Sequence, residues 1–287
     1  YIAKLGYLVA GERPEGKPAN LLAASDACYH FELPGSTHGF RFKSDTRKNL
    51  EGAIINSSEE AHTGERSLKV VARPWLGGEA IKVYVKTYCE PSDFHDSRYD
   101  PSFSPVFYPG QEMQCAVKIP EYIRNGVTVA LFAHDRNSGR DIDSPQRATL
   151  VPGRWEELKF RVPCLEGACI SEIGVKLSAR SNKYDGELVA YVDDFSVSGG
   201  VDYTIDFSKE RMEAWTVLHR EVSQFTYLKG IWNIEDGQLN GSVADFGEAY
   251  TGAYALADYT FKAPLHPVVG SWHSINVRVQ GAIRSYA

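Results

Sequence analysis

The sequence predicts an all-β protein with two β-sandwiches of the jelly-roll kind, the second of them truncated, preceded by a short helix. Three observations predict this class. Helical spacing of apolar residues at the start of the chain gives way near Ala27 to alternation of polar and apolar residues. The alternating stretches are short, and turn-forming residues separate them at fairly even spacing. Many short strands with regular turn signals are typical of sandwiches.

Residues 1–23 are predicted to be the tail of a preceding helical domain, followed by a linker. Apolar residues from Ile2 to Val9 recur at helical spacing, and Gly11 can end the helix. The chain begins without Met and stops within a strand-like pattern. We therefore interpret the sequence as a fragment of a longer protein.

Residues 24–200 are predicted to form the first sandwich. Gly64 marks a turn before one strand, and the charged, glycine-containing stretch from Arg136 to Ser144 is typical of a hairpin tip. The predicted strands are the alternating stretches CYHFEL, SLKVVARP, AIKVYVKTY, EMQCAVKIP, VTVALFAHD, RWEELKFRVP, ISEIGVKLSA and ELVAYVDDFSVSG.

Residues 201–287 are predicted to form a second β unit. The Asp236-Gly237 pair lies between two short alternating stretches, which is the usual signal for a tight hairpin. The unit holds fewer strand patterns than a closed sandwich needs, and this shortage is the reason for predicting truncation.

The composition argues against two kinds of partner. The net charge of -6 and the pI near 5.8 do not suit a nucleic-acid surface, which normally carries a basic patch. No apolar run approaches the roughly 20 residues that a membrane-spanning helix needs. The five cysteines lack the CxxC spacing of zinc sites, and their odd number favours free thiols in a reducing compartment such as the cytoplasm.

The stretch from Glu187 to Gly199 raises the question of what neutralises Asp193. Strict alternation places this carboxylate among apolar residues, and an ionised carboxylate is costly to bury without a partner. A Lys or Arg, backbone N–H groups or a cation could each satisfy it. Calcium prefers carboxylate and carbonyl oxygens, so we predict a structural calcium held by Glu32, Asp45 and Asp193. An ordinary hydrogen-bonded carboxylate is the alternative.

Aromatic residues beside polar ones suggest sugar binding in the long segment from Tyr88 to Gly110. Its Pro and Ser content predicts a loop, and long loops in compact domains are often functional. An aromatic ring suits the apolar face of a sugar, and nearby polar groups suit its hydroxyls. We therefore predict carbohydrate contacts from Tyr99, Phe103 and Tyr108, and from Trp75 outside the loop. Aromatics that merely pin the loop to the sandwich are the alternative.

Two further candidates lie in the second unit. Arg278 and Gln280 alternate with valines and so share one sheet face, where they could bind a polyol. A solvated sheet face is the alternative.

The sequence gives little support for catalysis. His95 and His134 each precede an Asp, but such pairs in polar loops are more often solvated than catalytic. The GxSxG, HExxH and P-loop motifs are absent. A glycan-cleaving second unit would need paired carboxylates, and the nearby candidates are Glu235, Asp236, Asp245 and Glu248.

Three motifs of the first unit together resemble those of carbohydrate-binding jelly rolls. They are FELPG, then AHTGERSLKVVARP, then LVAYVDDFSVSG, and the resemblance covers about residues 27–200. In such modules a structural calcium commonly lies near the first and last strands. The resemblance therefore implies a metal position at Glu32 and Asp193, in agreement with the expectation from Asp193 itself.

The order of segments along the chain resembles the C-terminal region of large bacterial ADP-ribosylglycohydrolase-family proteins. The segments are YLVAGERPEGKPANLL, THGFRFKSDTRKN, DYTIDFSKERMEAW, LHREVSQFTYLKGIWNIEDGQLNGSVADFGEAYTG and INVRVQGAIRSYA. The second unit resembles a concanavalin-like or laminin-G-like sandwich. The family's two-magnesium catalytic motifs are not in this chain, so no catalytic residue is assigned and magnesium is expected only in the absent catalytic domain.

This resemblance implies a non-catalytic accessory region that binds a glycan next to a helical hydrolase domain. Two alternatives stay open. The sandwiches could be purely structural and pack on the hydrolase domain, or the second unit could itself cleave glycans.

Overall fold

The computed structural model confirms the predicted all-β class, since its described residues form strands and no α-helix. The described residues are 28–44, 51–76, 80–87, 107–123, 126–136, 138–167, 170–179, 185–208, 212–215, 220–222, 227–242, 247–250, 260–270, 273–281 and 284–286. The helix predicted within residues 1–23 lies outside them. No helix in the described part of the chain is long and apolar enough to span a membrane.

Fourteen of the described strands belong to the sandwich and to the segment that leaves it. They are β1 Cys28–Tyr29, β2 Arg41–Ser44, β3 Glu51–Ser57, β4 Ser67–Leu76, β5 Ala80–Lys86, β6 Glu112–Lys118, β7 Val127–Asp135, β8 Arg140–Asp143, β9 Ala148–Thr149, β10 Trp155–Arg161, β11 Leu165–Glu166, β12 Ile170–Ala179, β13 Asp185–Ser198 and β14 Tyr203–Thr204.

Most of these strands form two antiparallel six-stranded sheets. The first sheet has the order β10-β6-β13-β4-β3, with β1 also paired with β13. The second sheet has the order β2-β5-β12-β7-β8, with β9 also paired with β7. The expected adjacency of the first and last sandwich strands is confirmed, because Tyr29 of β1 lies opposite Phe195 of β13.

The core lies between the two sheets and follows the alternation of the strands. In β5 the odd-numbered residues from Ile81 to Val85 join the core cluster, and in β12 the residues Ile173, Val175 and Leu177 do so. The facing strands of the first sheet contribute residues such as Leu68 and Val117. Each fully buried aliphatic side chain stabilises the fold by about 1.5–3 kcal/mol, so the alternating stretches dictate which way each sheet faces.

The last sandwich strand contains a β-bulge that the alternation pattern does not predict. The pairing of β13 with β6 shifts register between Asp193 and Ser196, and Asp194 adopts a φ of +49°. Even-numbered residues up to Val192 and odd-numbered residues from Phe195 onward therefore belong to the same core cluster. Strict alternation would place Asp193 and Phe195 on the same face of the strand, and this expectation is wrong because the bulge lies between them.

The first strand is shorter than its pattern predicts. The stretch CYHFEL alternates over six residues, but only Cys28–Tyr29 pairs as a strand. Phe31 has a φ of +58°, which takes the chain out of extended geometry. Its ring is fully buried and packs edge-to-face on Phe40, with ring centroids 5.4 Å apart. Burial of the aromatic ring thus overrides the local strand pattern.

Beyond residue 204 the described strands pair in twos. They are β15 Met212–Trp215 with β16 Arg220–Val222, β17 Tyr227–Lys229 with β20 Glu248–Tyr250, β18 Ile231–Glu235 with β19 Gln238–Ser242, and β21 Val277–Gly281 with β22 Arg284–Tyr286. The hairpin predicted at Asp236-Gly237 is confirmed, with φ values of +52° and +71° at these two residues. The partial second sandwich stays a prediction.

The chain remains attached to the first sandwich past the boundary expected near residue 200. Tyr203–Thr204 pairs in parallel with Leu165–Glu166. The N–H of Asp202 donates to the carbonyl of Pro109 at 2.8 Å. These contacts fix the direction in which the chain leaves the sandwich.

Candidate functional site

The outer face of the second sheet carries an unusual density of charged side chains. Because the odd-numbered residues of β5 enter the core, Lys82, Tyr84 and Lys86 project from the opposite side. The same alternation applies along β2, β7, β8 and β12. We call this surface the charged face and define it by Arg41, Lys43, Lys82, Tyr84, Lys86, Thr128, Ala130, Phe132, His134, Asp141, Asp143, Glu172, Gly174, Lys176 and Ser178.

Asp141 is the centre of a largely buried ion-pair network on the charged face. Its Oδ2 lies 2.5 Å from Lys82 Nζ and 2.7 Å from Lys176 Nζ, and its Oδ1 lies 2.7 Å from His134 Nδ1. Burial by itself would raise the pKa of Asp141, but the hydrogen bonds from His134, Lys176 and Lys82 outweigh it and hold the pKa well below its usual range. Asp141 is therefore a fixed negative charge.

The network continues toward the edge of the sheet. Lys176 Nζ also lies 2.5 Å from Asp143 Oδ1, and Arg147 Nη2 donates to Asp143 Oδ2 at 3.2 Å. At the other side of the face, Lys43 Nζ lies 2.6 Å from Glu172 Oε2. Carboxylates that each hold a cation at a set distance give a face with fixed donors and acceptors.

Aromatic rings beneath the lysines help to hold them in place. The ammonium groups of Lys82 and Lys176 lie 5.4 Å and 5.3 Å from the centroid of the Phe132 ring. Lys43 lies 4.6 Å from the centroid of Tyr84. Such cation–π contacts stabilise by about 0.5–2 kcal/mol each, so three lysines of the face are fixed by rings as well as by carboxylates.

A groove of about 180 Å³ lies on the charged face beside Lys176. Small side chains make its floor, and Asp143, Lys176 and Arg147 stand at its side. Ser178 of β12 lies opposite both Ala80 of β5 and Thr128 of β7. The lining is made of Ala80, Thr128, Val129, Ala130, Asp143, Arg147, Lys176 and Ser178. A space of this size next to charged donors and an acceptor suits a small polar group, such as one sugar ring.

Asp193 lies away from this groove, and backbone N–H groups satisfy its carboxylate. The N–H groups of His62 and Thr63 donate to Oδ2 at 2.7 Å and 3.3 Å, and the N–H of Asp194 donates to Oδ1 at 2.7 Å. Asp193 is fully buried. Burial raises its pKa to about 6, with the charge of Asp194 acting in the same direction and the N–H groups acting against both. The sequence left three kinds of partner open for Asp193. The hydrogen bonds that the structure describes are of the second kind, from backbone N–H groups.

The other described metal candidate binds the same segment. The carboxylate of Glu32 accepts the N–H groups of Glu65 at 3.1 Å and Arg66 at 3.2 Å. Asp45 lies outside the described residues. Glu32 and Asp193 thus hold residues 62–66 from two sides, and the calcium site stays a prediction. In the part of the chain that the structure describes, no group of three or more His, Cys, Asp or Glu residues has the geometry to hold a metal.

Sequence reasoning missed the polar cluster around Asp194. Its Oδ1 lies 2.7 Å from His30 Nδ1 and accepts the hydroxyl of Thr63 at 2.6 Å, while its Oδ2 lies 2.7 Å from His62 Nδ1. Burial would raise the pKa of Asp194, but the hydrogen bonds from Thr63, His62 and His30 lower it below its usual value. The repeated Asp in VDDF was the available signal. Adjacent residues of a regular strand face opposite sides, so one of the two carboxylates would have to enter the core unless the strand were irregular there.

Of the predicted carbohydrate contacts of the first unit, Tyr108 is the one whose side chain lies within the described residues. Tyr108 is buried with 8% of its surface exposed, and its ring stacks on Tyr203 with centroids 5.6 Å apart, so one ring face is already covered. Trp75 lies in β4 opposite Gly186, and its side chain is outside the described residues. Tyr99 and Phe103 lie outside them altogether and stay predictions.

The candidates of the second unit are only partly described. Arg278 and Gln280 lie in β21, but their side chains are outside the described residues. Glu235 ends β18 and Asp236 stands in the hairpin turn, as the sequence indicates. Glu248 begins β20, and Asp245 is outside the described residues. No paired carboxylates across a cleft follow from the described part of this unit.

The protein resembles solved carbohydrate-binding modules in its β-sandwich architecture. A module studied for the promiscuous specificity of carbohydrate-binding modules from the β-sandwich superfamily has 18% identity and a TM-score of 0.45, covering 60% of this chain and 61% of that one. The CBM22-1 xylan-binding domain of Paenibacillus barcinonensis Xyn10C has 15% identity and a TM-score of 0.39, covering 60% and 91%.

The C-terminal family 22 module of Clostridium thermocellum Xyn10B has 16% identity and a TM-score of 0.38, covering 60% of this chain and 90% of that one. At these identities the likeness is one of fold. No protein-family model matches the sequence, and a search of curated proteins gives no match.

Proposed function

We propose that the first sandwich is a glycan-binding module and that the groove on the charged face is its binding site. The single observation that carries the proposal is the groove itself. It places a small, open floor beside Lys176, Asp143 and Arg147, whose charged groups are already held by one another.

The physical argument concerns pre-organisation. A sugar offers several hydroxyls, each of which donates and accepts, so it binds best to donors and acceptors that need no rearrangement. Lys176 is held by two carboxylates and lies over the Phe132 ring, which leaves its side chain little freedom to lose on binding. Side-chain ordering costs about 0.5–1.5 kcal/mol per side chain on binding, and this site avoids much of that cost.

The predicted aromatic contacts are a separate expectation. The long segment that holds Tyr99 and Phe103 follows Lys86 of β5, whereas the groove lies beside Ala80, at the other end of that strand and about 20 Å away. The groove proposal therefore does not depend on Tyr99 or Phe103, which stay predictions.

The experiment is to fill the groove and measure binding. The chain is run in native gels that contain soluble polysaccharides, and retarded samples are titrated by calorimetry. Ser178→Tyr places a ring over the groove floor, and we expect it to abolish the retardation. Lys159→Tyr is the matched control, since Lys159 is exposed on β10 of the first sheet. Loss of binding in both variants, or in neither, would contradict the proposed location.

The finer proposal is that this module serves a larger hydrolase of the ADP-ribosylglycohydrolase kind. Tethering would raise the effective concentration of substrate near a catalytic domain preceding residue 24. A purely structural role is the competing proposal, and it predicts that no polysaccharide retards the chain. A glycan-cleaving second unit predicts instead that Glu248→Gln abolishes release of reducing ends.

Calcium in the first sandwich remains a proposal of its own. Asp193 is a fully buried carboxylate beside the carboxylate of Asp194, and its described donors, the N–H groups of His62, Thr63 and Asp194, are uncharged. A cation would supply the positive charge that these donors do not. Glu32 and Asp193 would hold it together with Asp45 or with backbone carbonyls, and its role would be to stabilise the segment 62–66 rather than to take part in a reaction.

A further inference from the structure

The groove has an arginine whose binding capacity is largely unused. Arg147 lines the groove, and 65% of its side chain is exposed. Its one described contact is the 3.2 Å hydrogen bond from Nη2 to Asp143. A guanidinium carries five N–H donors in a planar fork, so most of the donors of Arg147 face the groove and solvent.

The position of Arg147 is fixed by the short connection between β8 and β9. The N–H of Ser144 donates to the carbonyl of Leu131 at 2.8 Å, and its hydroxyl donates to the carbonyl of Gln146 at 2.8 Å. Ser144 is buried with 4% of its surface exposed. The backbone that carries Arg147 is therefore anchored to β7, whose residues Thr128 and Ala130 line the groove.

The charges around the groove favour an anion. Asp143 is the one carboxylate of the groove lining, and it is shared by the two cations of that lining, Lys176 and Arg147. Lys176 is also paired with Asp141, which is paired in turn with Lys82. The cations Lys82, Lys176 and Arg147 therefore outnumber the carboxylates Asp141 and Asp143 by one, and a negative group that enters beside Arg147 meets this excess positive charge. Planar Arg–carboxylate pairs with two parallel hydrogen bonds are among the stronger polar contacts in proteins.

We propose that the groove recognises an anionic sugar, with the guanidinium of Arg147 binding the carboxylate or sulfate of one sugar unit. This inference rests on the proposed glycan-binding function and names the chemical class of the ligand. The carboxylate of a uronic acid and a sulfate ester both offer the paired oxygens that the fork requires, so the experiment must separate these two sources.

The test compares polysaccharides that differ only in charge. The full chain is titrated against a panel of uronates, such as pectate and alginate, against their methyl-esterified forms, and against sulfated galactan with its desulfated form. We expect the anionic member of one pair to bind. Its neutral counterpart should bind at least about tenfold more weakly. Binding of the uronate assigns the carboxylate, and binding of the sulfated chain assigns the sulfate ester.

Variants of Arg147 carry the assignment to the residue. Arg147→Gln should weaken binding of the anionic chain about tenfold and flatten its salt dependence, while Arg147→Lys should retain part of the affinity. Arg161→Gln is the control, because Arg161 is exposed on the first sheet and the change in charge is the same. Folding should be unaffected, since substitution of exposed residues usually changes stability by less than about 0.5 kcal/mol.

Three results would overturn the inference while the proposed function stands. The first is equal binding of the charged and neutral forms, and the second is binding of the anionic chain by Arg147→Gln as tight as that of the original protein. The third is binding of neutral polysaccharides alone. If it binds no polysaccharide of either kind, the glycan-binding function itself is wrong.

Discussion

Gly64 gives the sharpest test of how the sandwich holds the segment 62–66. Gly64 has a φ of +66°, and a Cβ added there would lie 2.6 Å from Cδ of the Glu32 carboxylate. That carboxylate accepts the N–H groups of Glu65 and Arg66, the two residues that follow. Gly64→Ala therefore combines backbone strain with displacement of the Glu32 side chain.

The expected cost can be worked out from these two parts. A residue with a Cβ in the left-handed region costs about 1–2 kcal/mol. A hydrogen bond to a charged group contributes about 1.5–3 kcal/mol, and Glu32 is exposed, so the lower end of this range applies. We expect Gly64→Ala to lower the free energy of unfolding by about 3 kcal/mol. Gly35→Ala should cost only the strain, because Gly35 has a φ of +76° with no atom within 4 Å of an added Cβ.

The assay is urea unfolding of the chain with four proteins in a double-mutant cycle. In a Glu32→Ala background the carboxylate is absent, so Gly64→Ala should then cost no more than Gly35→Ala does alone. The difference between the two backgrounds measures the contact between Glu32 and residue 64. Equal costs of Gly64→Ala and Gly35→Ala in the original background would refute the reasoning.

Three further predictions test the network, the calcium proposal and the sheet. Asp141→Asn should lower the free energy of unfolding by about 3 kcal/mol at pH 7, since its lysines lose a largely buried partner. Because the pKa of Asp141 is lowered from its ordinary 3.8, this stabilisation is present above that pH and is lost as the pH falls below it. A difference in the free energy of unfolding between the two proteins that stays constant from pH 3 to 7 would contradict the role of Asp141 as a fixed negative charge. Calcium added after a chelator should raise the melting temperature of the chain but not of Asp193→Ala or Glu32→Ala, whereas no response in the original chain removes the calcium proposal. Gly174→Ala should lower the free energy of unfolding by more than about 2 kcal/mol, because its Cβ would lie 2.8 Å from the Cα of Tyr84 on the next strand. Gly200→Ala is the control and should cost little, because an added Cβ there meets open space. Similar melting temperatures of the two variants would count against the pairing of β5 with β12.

Local patterns were sufficient for most of the strands of the sandwich. The stretches AIKVYVKTY, VTVALFAHD and RWEELKFRVP became β5, β7 and β10 with ends close to those expected. Alternation works here because the residues of one strand have only two faces, and one face must enter the core. The turn at Gly64 and the hairpin at Asp236-Gly237 were also predictable, since a positive φ is a local requirement that few residues meet.

The candidate site was much less predictable. The histidine-aspartate pair at residues 134 and 135 drew attention in the sequence, yet His134 contacts Asp141 across the β7–β8 hairpin instead. Lys176 and Asp143 lie 33 positions apart, and neither belongs to a recognisable motif. A solvated sheet face and a binding face have the same alternating pattern, so sequence alone could not distinguish them.

Spacing between neighbours in the chain accounts for the β class, for the positions of most sandwich strands and for the faces that enter the core. The donors that satisfy Asp193 depend instead on the assembled fold. One of them, the N–H of Asp194, is adjacent in the chain, but the other two belong to His62 and Thr63, and His62 lies 131 positions earlier. The bulge that follows Asp193, with a left-handed residue at Asp194, lets one strand keep its apolar side chains in the core on both sides of the bulge. Which groups meet across such distances depends on the packing of whole sheets, and no local pattern encodes it.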